Sequence, residues 1–341
     1  MERLPIRSLA VLSAICLTAL TGCGTGTERT TPVTPAEPAG ERTVRAQQVM
    51  RLTTAHPETG MTLLEGPVFD ERGDLLVVDV TAPAGKPKVH RVDLRRKTAH
   101  PVHTDDRGAY TSAQFSPHDG RLYLTDFAHG DIVSLAPDGG DPRTFFSGPV
   151  DGAPMNPDDL AFDREGNLYV SDSRGMREGR ATGRVVRIDR EGREAAVLAD
   201  GLAAPNGISF DERYRGLWIS ELTANRVSYL LLDRKGAVAS RHTAVRVDGG
   251  IAQTDSIAVD AEGNLYQALH GRPAILVYDR HGERLATVEV RGREAEGLES
   301  ATNVAITPGG TRAYMTVSGP SGGFLYAFDA PGRGVRQSNG G

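Results

Sequence analysis

Six oxygen-bearing residues recur along the chain at nearly equal intervals. They are Glu65, Thr111, Asp158, Asn206, Asp255 and Thr302, spaced 46, 47, 48, 49 and 47 residues apart. Each stands four residues before an apolar residue that closes a short run ahead of a polar turn: Phe69, Phe115, Phe162, Phe210, Val259 and Ile306. Three of the six are carboxylates. If equal register means convergence on one axis, they cannot stand there alone. Two like charges about 4 Å apart repel by roughly 4 kcal/mol at an effective dielectric of 20, and confined carboxylates hold protons instead. A divalent cation removes that penalty. Oxygen donors without cysteine or clustered histidine favour Ca2+ or Mg2+ over zinc, and carboxylates, one amide and water suit the permissive shell of Ca2+. The alternative is that the six residues cap strand starts in a wet channel.

The elements that must position them are visible as a repeat. A strand, a Gly-containing turn and a strand close to Leu-Tyr-Val-x-Asp occur six times: VFDERGDLLVVD (68–79), QFSPHDGRLYLTD (114–126), AFDREGNLYVSD (161–172), SFDERYRGLWISE (209–221), AVDAEGNLYQAL (258–269) and AITPGGTRAYMTV (305–317). A third strand follows each copy, and a fourth follows most. Four strands at a period of about 47 residues predict an all-β fold, a six-bladed β-propeller with four-stranded blades, the first strand of each lining a central channel. A solenoid would need capping repeats and gives no reason to stop at six. The propeller is expected over residues 45–335, with residues 45–54 supplying the outer strand that closes the last blade. Forty glycines and twenty prolines fit such a turn-rich chain.

Other repeated residues read as structure. Tyr123, Tyr169, Trp218 and Tyr266 share one register and are expected to pack between blades. Asp70, Asp163, Asp211 and Asp260 sit in hairpin turns, where aspartate bonds local backbone. No histidine repeats at the candidate register. His100 and His103 are expected to be solvated in a polar loop. His270 follows the second strand of the fifth unit and can reach the channel mouth, but stays outside the proposed set. No nucleophile elbow, phosphate-binding loop or dinucleotide fingerprint is present. Net charge is −5 with both signs scattered. No basic patch interleaved with aromatics appears, so nucleic-acid binding is not expected.

The N-terminus reads as a targeting segment. Arg3 and Arg7 precede an apolar stretch over 9–20, too short to span a bilayer, which ends in Leu20-Thr21-Gly22-Cys23. This resembles a bacterial lipobox. Residues 1–22 are then a signal peptide, Cys23 is the lipidated mature N-terminus, and residues 23–44, rich in Thr and Pro, are a tether. The expected location is the outer face of a bacterial membrane, held by the lipid anchor only. An ordinary secretion signal with a chance cysteine is the alternative. Cys16 lies in the removed segment, leaving Cys23 as the sole thiol and no disulfide.

The motifs EGPVFD (65–70), DDLAFDREGNLYVSDSRG (158–175), APNGISF (204–210), LWISELTANRV (217–227) and DSIAVDAEGNLYQALHG (255–271) resemble the family of senescence marker protein, gluconolactonase and luciferin-regenerating enzyme, closest to its drug-responsive lactonase branch. The resemblance covers most of residues 60–330. It implies a six-bladed propeller with a divalent metal, commonly Ca2+, in the channel, and hydrolysis of small-molecule lactones. Carried over by position, it implies Glu65, Asp158, Asn206, Asp255 and Ser256 as metal ligands and Asp255 as the proton-transfer residue. Asp158 and Ser256 match the drug-responsive branch; gluconolactonases more often have Asn at the first. That branch also carries a structural calcium just before the Asp-Asp motif, and VDGAPMN (150–156) does not match its ligands, so one ion is expected. Two rivals remain on sequence grounds: a surface-displayed propeller that binds a ligand or protein without catalysis, and a metal-dependent lyase or phosphotriesterase-like enzyme. Specificity is expected from loops 80–88, 100–112, 173–183 and 291–301.

Overall fold

Strand formation follows the alternation of apolar residues with Gly- and Asp-bearing turns. In this computed structural model, residues 41–176 and 178–336 are described, all within the unit Gly40–Gly341. The expected signal peptide, Cys23 and nearly all of the tether lie outside them. Two strands open the described chain, β1 (Arg42–Arg45) and β2 (Gln47–Thr53). The first sheet is β3 (Leu64–Phe69), β4 (Leu75–Asp79), β5 (Pro87–Asp93) and β6 (Thr98–Thr104). The second is β7 (Tyr110–Phe115), β8 (Leu122–Asp126), β9 (Asp131–Leu135) and β10 (Arg143–Phe146). The third is β11 (Pro157–Phe162), β12 (Leu168–Asp172), β13 (Gly183–Ile188) and β14 (Ala195–Leu202). The fourth is β15 (Pro205–Phe210), β16 (Gly216–Glu221), β17 (Arg226–Leu232) and β18 (Val238–Arg246). The fifth repeat gives β19 (Gln253–Val259), β20 (Leu265–His270), β21 (Ala274–Tyr278) and β22 (Arg284–Glu289), and the sixth gives β23 (Ser300–Ile306), β24 (Arg312–Gly319) and β25 (Gly322–Asp329).

The all-β expectation and the four-stranded unit hold. The last two repeats do not stand apart: they share a nine-stranded sheet, joined where β20 meets β23 at the pair Leu269 and Ala301. Strand β2 pairs antiparallel with β25, so the segment expected to complete the last repeat does so. The tether ends earlier than expected, because Arg42–Arg45 pairs parallel with β22. The first strands touch in the circular order β3, β7, β11, β15, β19, β23 and back to β3.

The repeated aromatics pack between neighbouring sheets. Tyr123 meets Phe162 edge-on at 5.1 Å and Tyr169 meets Phe210 at 5.0 Å. The turn aspartates accept local backbone N–H groups, as Asp163 does from Glu165 (3.0 Å) and Asn167 (2.8 Å). His100 and His103 are not in a loop. They lie in β6, and His103, mostly buried, bonds Asp105 at 3.3 Å. The alternation Thr-Ala-His-Pro-Val-His-Thr is read correctly as an outer strand, its polar residues facing the outside edge of the sheet.

Candidate functional site

Every first strand breaks its ladder at the same place. The register shifts between Glu65 and Val68, Tyr110 and Ser112, Pro157 and Leu160, Pro205 and Ile208, Thr254 and Ile257, and Ala301 and Asn303. The six oxygen-bearing residues lie at or inside these bulges. A bulge re-aims a side chain and releases a backbone N–H from the ladder. Second-strand hydroxyls take up the released groups: Asp159 N–H donates to Ser171 Oγ (2.8 Å) and Gly207 N–H to Ser220 Oγ (2.7 Å). The same hydroxyls donate onward to the next sheet, Ser171 to the Asn206 carbonyl and Ser220 to that of Asp255 (2.6 Å). Thr125 likewise holds the Asp158 carbonyl at 2.6 Å. Gly66 and Gly207 permit the close approach of neighbouring strands, since a Cβ on either would come within 2.6 Å of the next strand's backbone nitrogen.

Acids at the ends of the second strands brace the incoming loops. Asp172 accepts Asn156 N–H (2.8 Å) and pairs with Arg184 (2.6 Å); Glu221 accepts Ala203 N–H (2.8 Å) and pairs with Arg226 (2.6 Å). Asp79 and Asp126 occupy the same register, paired with His56 and His129, each at 2.8 Å. In the fifth repeat that position is His270.

Four of the six aligned residues converge. Asn206 Nδ2 donates to Asp158 Oδ2 at 3.1 Å, as does Ser173 Oγ at 3.0 Å. Asn303 Nδ2 donates to Glu65 Oε2 at 3.4 Å. Glu65, Asp158, Asn206 and Asp255 are all buried. Burial pushes the Glu65 carboxyl well above the usual range, and Asp255, Asp159 and Asp158 push it further. Asp158 is raised first by burial and then by Asp159 and Asp255. Asp255 is raised by burial, against the pull of His270, the Ser256 N–H and Asn206. Asp159 is pushed up to about 7, mainly by burial, with the Ser112 and Ser256 hydroxyls holding it down. Thr111 and Thr302 do not join the carboxylates: Thr111 Oγ1 bonds the Asp158 carbonyl (2.9 Å) and Thr302 Oγ1 the Leu64 carbonyl. Ser256 is buried beside Asp255, its N–H donating to Asp255 Oδ1 at 3.1 Å.

His270 belongs to this constellation, although the sequence argument left it out. Its Nδ1 lies 3.7 Å from Asp255 Oδ2, and its side chain is 47% exposed, the most open group of the cluster. Asp255 raises its pKa. The signal was available: histidine replaces the acid found at that register in four other repeats. Asp159 and Ser173 were also missed, hidden beside Asp158 and Asp172.

The donor set fits a hard cation. Asn206 Oδ1 is buried without a hydrogen-bond partner, an acceptor left over beside mutually repelling carboxylates. Among the described residues, no three His, Cys, Asp or Glu side chains by themselves close around an ion, so the amide and hydroxyl oxygens are needed to complete a shell. The two largest cavities, about 490 and 1060 Å3, contain none of these residues; they open at the far ends of the first strands and in the outer turns, and the chemistry rather than the volume locates the site.

Residues 63–319 match the sequence pattern of the SMP-30/Gluconolactonase/LRE-like region family, three-quarters of the chain. The chain belongs to that family. Lactonase drp35 of Staphylococcus saprophyticus is 26% identical over 280 residues, covering 80% of this chain and 84% of that protein. The fold is shared with the calcium-binding protein regucalcin of Agrobacterium tumefaciens (TM-score 0.66, 18% identity, 86% of this chain and 99% of that one). It is also shared with a gluconolactonase of Xanthomonas campestris (TM-score 0.65, 21% identity, 87% and 99%).

Proposed function

We propose that the chain is a six-bladed β-propeller lactonase that depends on a divalent cation, Ca2+ in the first instance. The observation that carries this is the burial of Glu65, Asp158 and Asp255 together with the unpartnered amide oxygen of Asn206. Family membership and the lactonase relative support the reaction class, and the circular order of first strands supports the propeller. Glu65, Asp158, Asn206, Asp255 and the Ser256 hydroxyl would hold the ion. When bound, it supplies a Lewis acid for the ester carbonyl.

The chain's own residues do the rest. Asp255 accepts a proton from the attacking water, whose oxygen bonds to the carbonyl carbon. The ring C–O bond then breaks, and Asp255 returns the proton to the departing alkoxide. One water is consumed, one hydroxy acid is formed, and no protein nucleophile is used. His270 lies between Asp255 and solvent, placed to pass a proton outward. Ser173 and Asn206 orient Asp158 through its Oδ2. Lipidation at Cys23 would place this chemistry at the outer face of a bacterial membrane. Replacing Cys23 with Ala should release the protein or leave it unprocessed; a membrane-bound, normally processed variant contradicts the anchor.

The test is a panel of lactones, simple esters and phosphotriesters, assayed with chelator and after Ca2+ return. Chelator-sensitive, Ca2+-restored lactone opening is expected. Ca2+-dependent turnover of phosphotriesters alone moves the reaction class, and no turnover with no ion bound favours a non-catalytic propeller.

A further inference from the structure

The residue after each aligned position forms a second register: Gly66, Ser112, Asp159, Gly207, Ser256 and Asn303. It contains one charge and no lysine, arginine or histidine. That charge is the Asp159 carboxylate, which is 0% exposed. Neither of its oxygens accepts a hydrogen bond of normal geometry. The hydroxyls that face it belong to Ser112 on β7 and Ser256 on β19, strands on either side of its own β11. Ser112 Oγ is itself buried and unpartnered. Gln267, on the strand that pairs with β19, spends its amide N–H groups on the carbonyls of Asp255 (2.9 Å) and Ala268 (2.8 Å). Its Oε1 is left buried and unpartnered.

This inventory is rich in acceptors and poor in donors. A buried carboxylate without a cation or full hydrogen bonding is costly, and orphaned buried polar atoms mark an absent water or ion. Charge counting separates the two. Glu65, Asp158, Asp159 and Asp255 carry four negative charges when ionised. One divalent ion leaves two of them uncompensated. Water supplies hydrogen bonds but no charge.

We propose that Asp159 anchors a second divalent-cation site, separate from the one formed by Glu65, Asp158, Asn206 and Asp255, with the hydroxyls of Ser112 and Ser256 as further oxygen donors. The inference rests on the reading of those four residues as a cation site. The ligand class is a hard, oxygen-seeking ion with a flexible shell, for which Ca2+ is the probe. Ser256 stands between the two sites, so occupancy of one fixes the hydroxyl that serves the other.

The experiment is a count of bound Ca2+ in the purified full chain, by equilibrium dialysis and elemental analysis, for the native protein, Asp159→Asn and Ser112→Ala. Two ions are expected in the native protein and one in Asp159→Asn. Ser112→Ala, which removes one hydroxyl and keeps the testability if Asp159→Asn fails to fold, should retain two ions with the weaker affinity lowered about tenfold, the scale of losing a supporting contact at a metal site. One ion in the native protein overturns this inference and leaves the lactonase reading standing. Two ions in folded Asp159→Asn, or an unchanged weaker affinity in Ser112→Ala, places the second ion elsewhere and overturns it. No bound ion overturns both readings.

Discussion

The first strands that carry Glu65, Asp158, Asn206 and Asp255 and those that carry Thr111 and Thr302 share one bulge and one register, yet they do different work. The threonine side chain is short, and its hydroxyl turns back to a carbonyl of an adjoining first strand. Those hydroxyls tie sheet to sheet. The longer acids and the amide cannot fold back in the same way. Their carbonyls are held instead by Thr125, Ser171 and Ser220, or lie beside a held neighbour, so their side chains stay available to one another. The same backbone device therefore serves as a strut with a short hydroxyl and as a ligand arm with a carboxylate or amide. Position in the repeat decides geometry, and side-chain length decides role.

Breaking a ligand arm should cost far more activity than breaking a strut. The largest effect is expected for Asp255→Asn. It removes a ligand charge and the proton carrier together, and at saturating Ca2+ lactone hydrolysis should remain lower by about 10²–10⁴-fold. Full recovery with metal would reduce Asp255 to a ligand. The next effect is a pH dependence. Without metal, the folded protein keeps protons on its raised carboxylates, with Asp159 up to about 7, while the unfolded chain releases them in the ordinary carboxylate range. Ion-free stability then falls as pH rises through that window, by about 1.4 kcal/mol per unit for each proton retained. Bound Ca2+ takes over the protons' role, so the rise in melting temperature on adding Ca2+ should be larger at pH 8 than at pH 5. An equal rise at both contradicts the electrostatic reading.

Glu65→Gln sharpens the contrast from the other side. It removes one ligand charge and leaves the proton carrier, so Ca2+ affinity should fall by about 10–100-fold and excess Ca2+ should restore much of the rate. A loss that metal cannot restore would give Glu65 a role in the reaction itself. The smallest effect belongs to the strut. Thr302→Val keeps the shape and loses the hydroxyl bond to the Leu64 carbonyl, costing about 1 kcal/mol in denaturant unfolding with the Ca2+ affinity unchanged. A fall in Ca2+ affinity would mean that Thr302 is an arm after all.

The repeat, the strand count per unit and the aligned register were all legible in the sequence, because strand period and turn chemistry are local. The bulges were not, since a bulge is a relation between two strands. Without them, nothing in the spacing separates Thr302 from Asp255. The role of Ser171 and Ser220 was hidden for the same reason: one hydroxyl accepts in its own sheet and donates to the next. The join between β20 and β23 and the pairing of Arg42–Arg45 with β22 depend on contacts remote in sequence. His270 was legible in principle. It breaks a run of acids at one register, and an exception in a repeat carries more information about function than the repeat does.

The central claim is that four side chains from four different sheets hold one ion. Diffraction from crystals grown with Ca2+, recorded at a wavelength where calcium scatters anomalously, tests it directly. An anomalous peak with oxygens of Glu65, Asp158, Asn206 and Asp255 at about 2.3–2.6 Å is the predicted result. A calcium peak that excludes any two of these residues from its shell, or no peak among them while Ca2+-dependent hydrolysis persists, would contradict it.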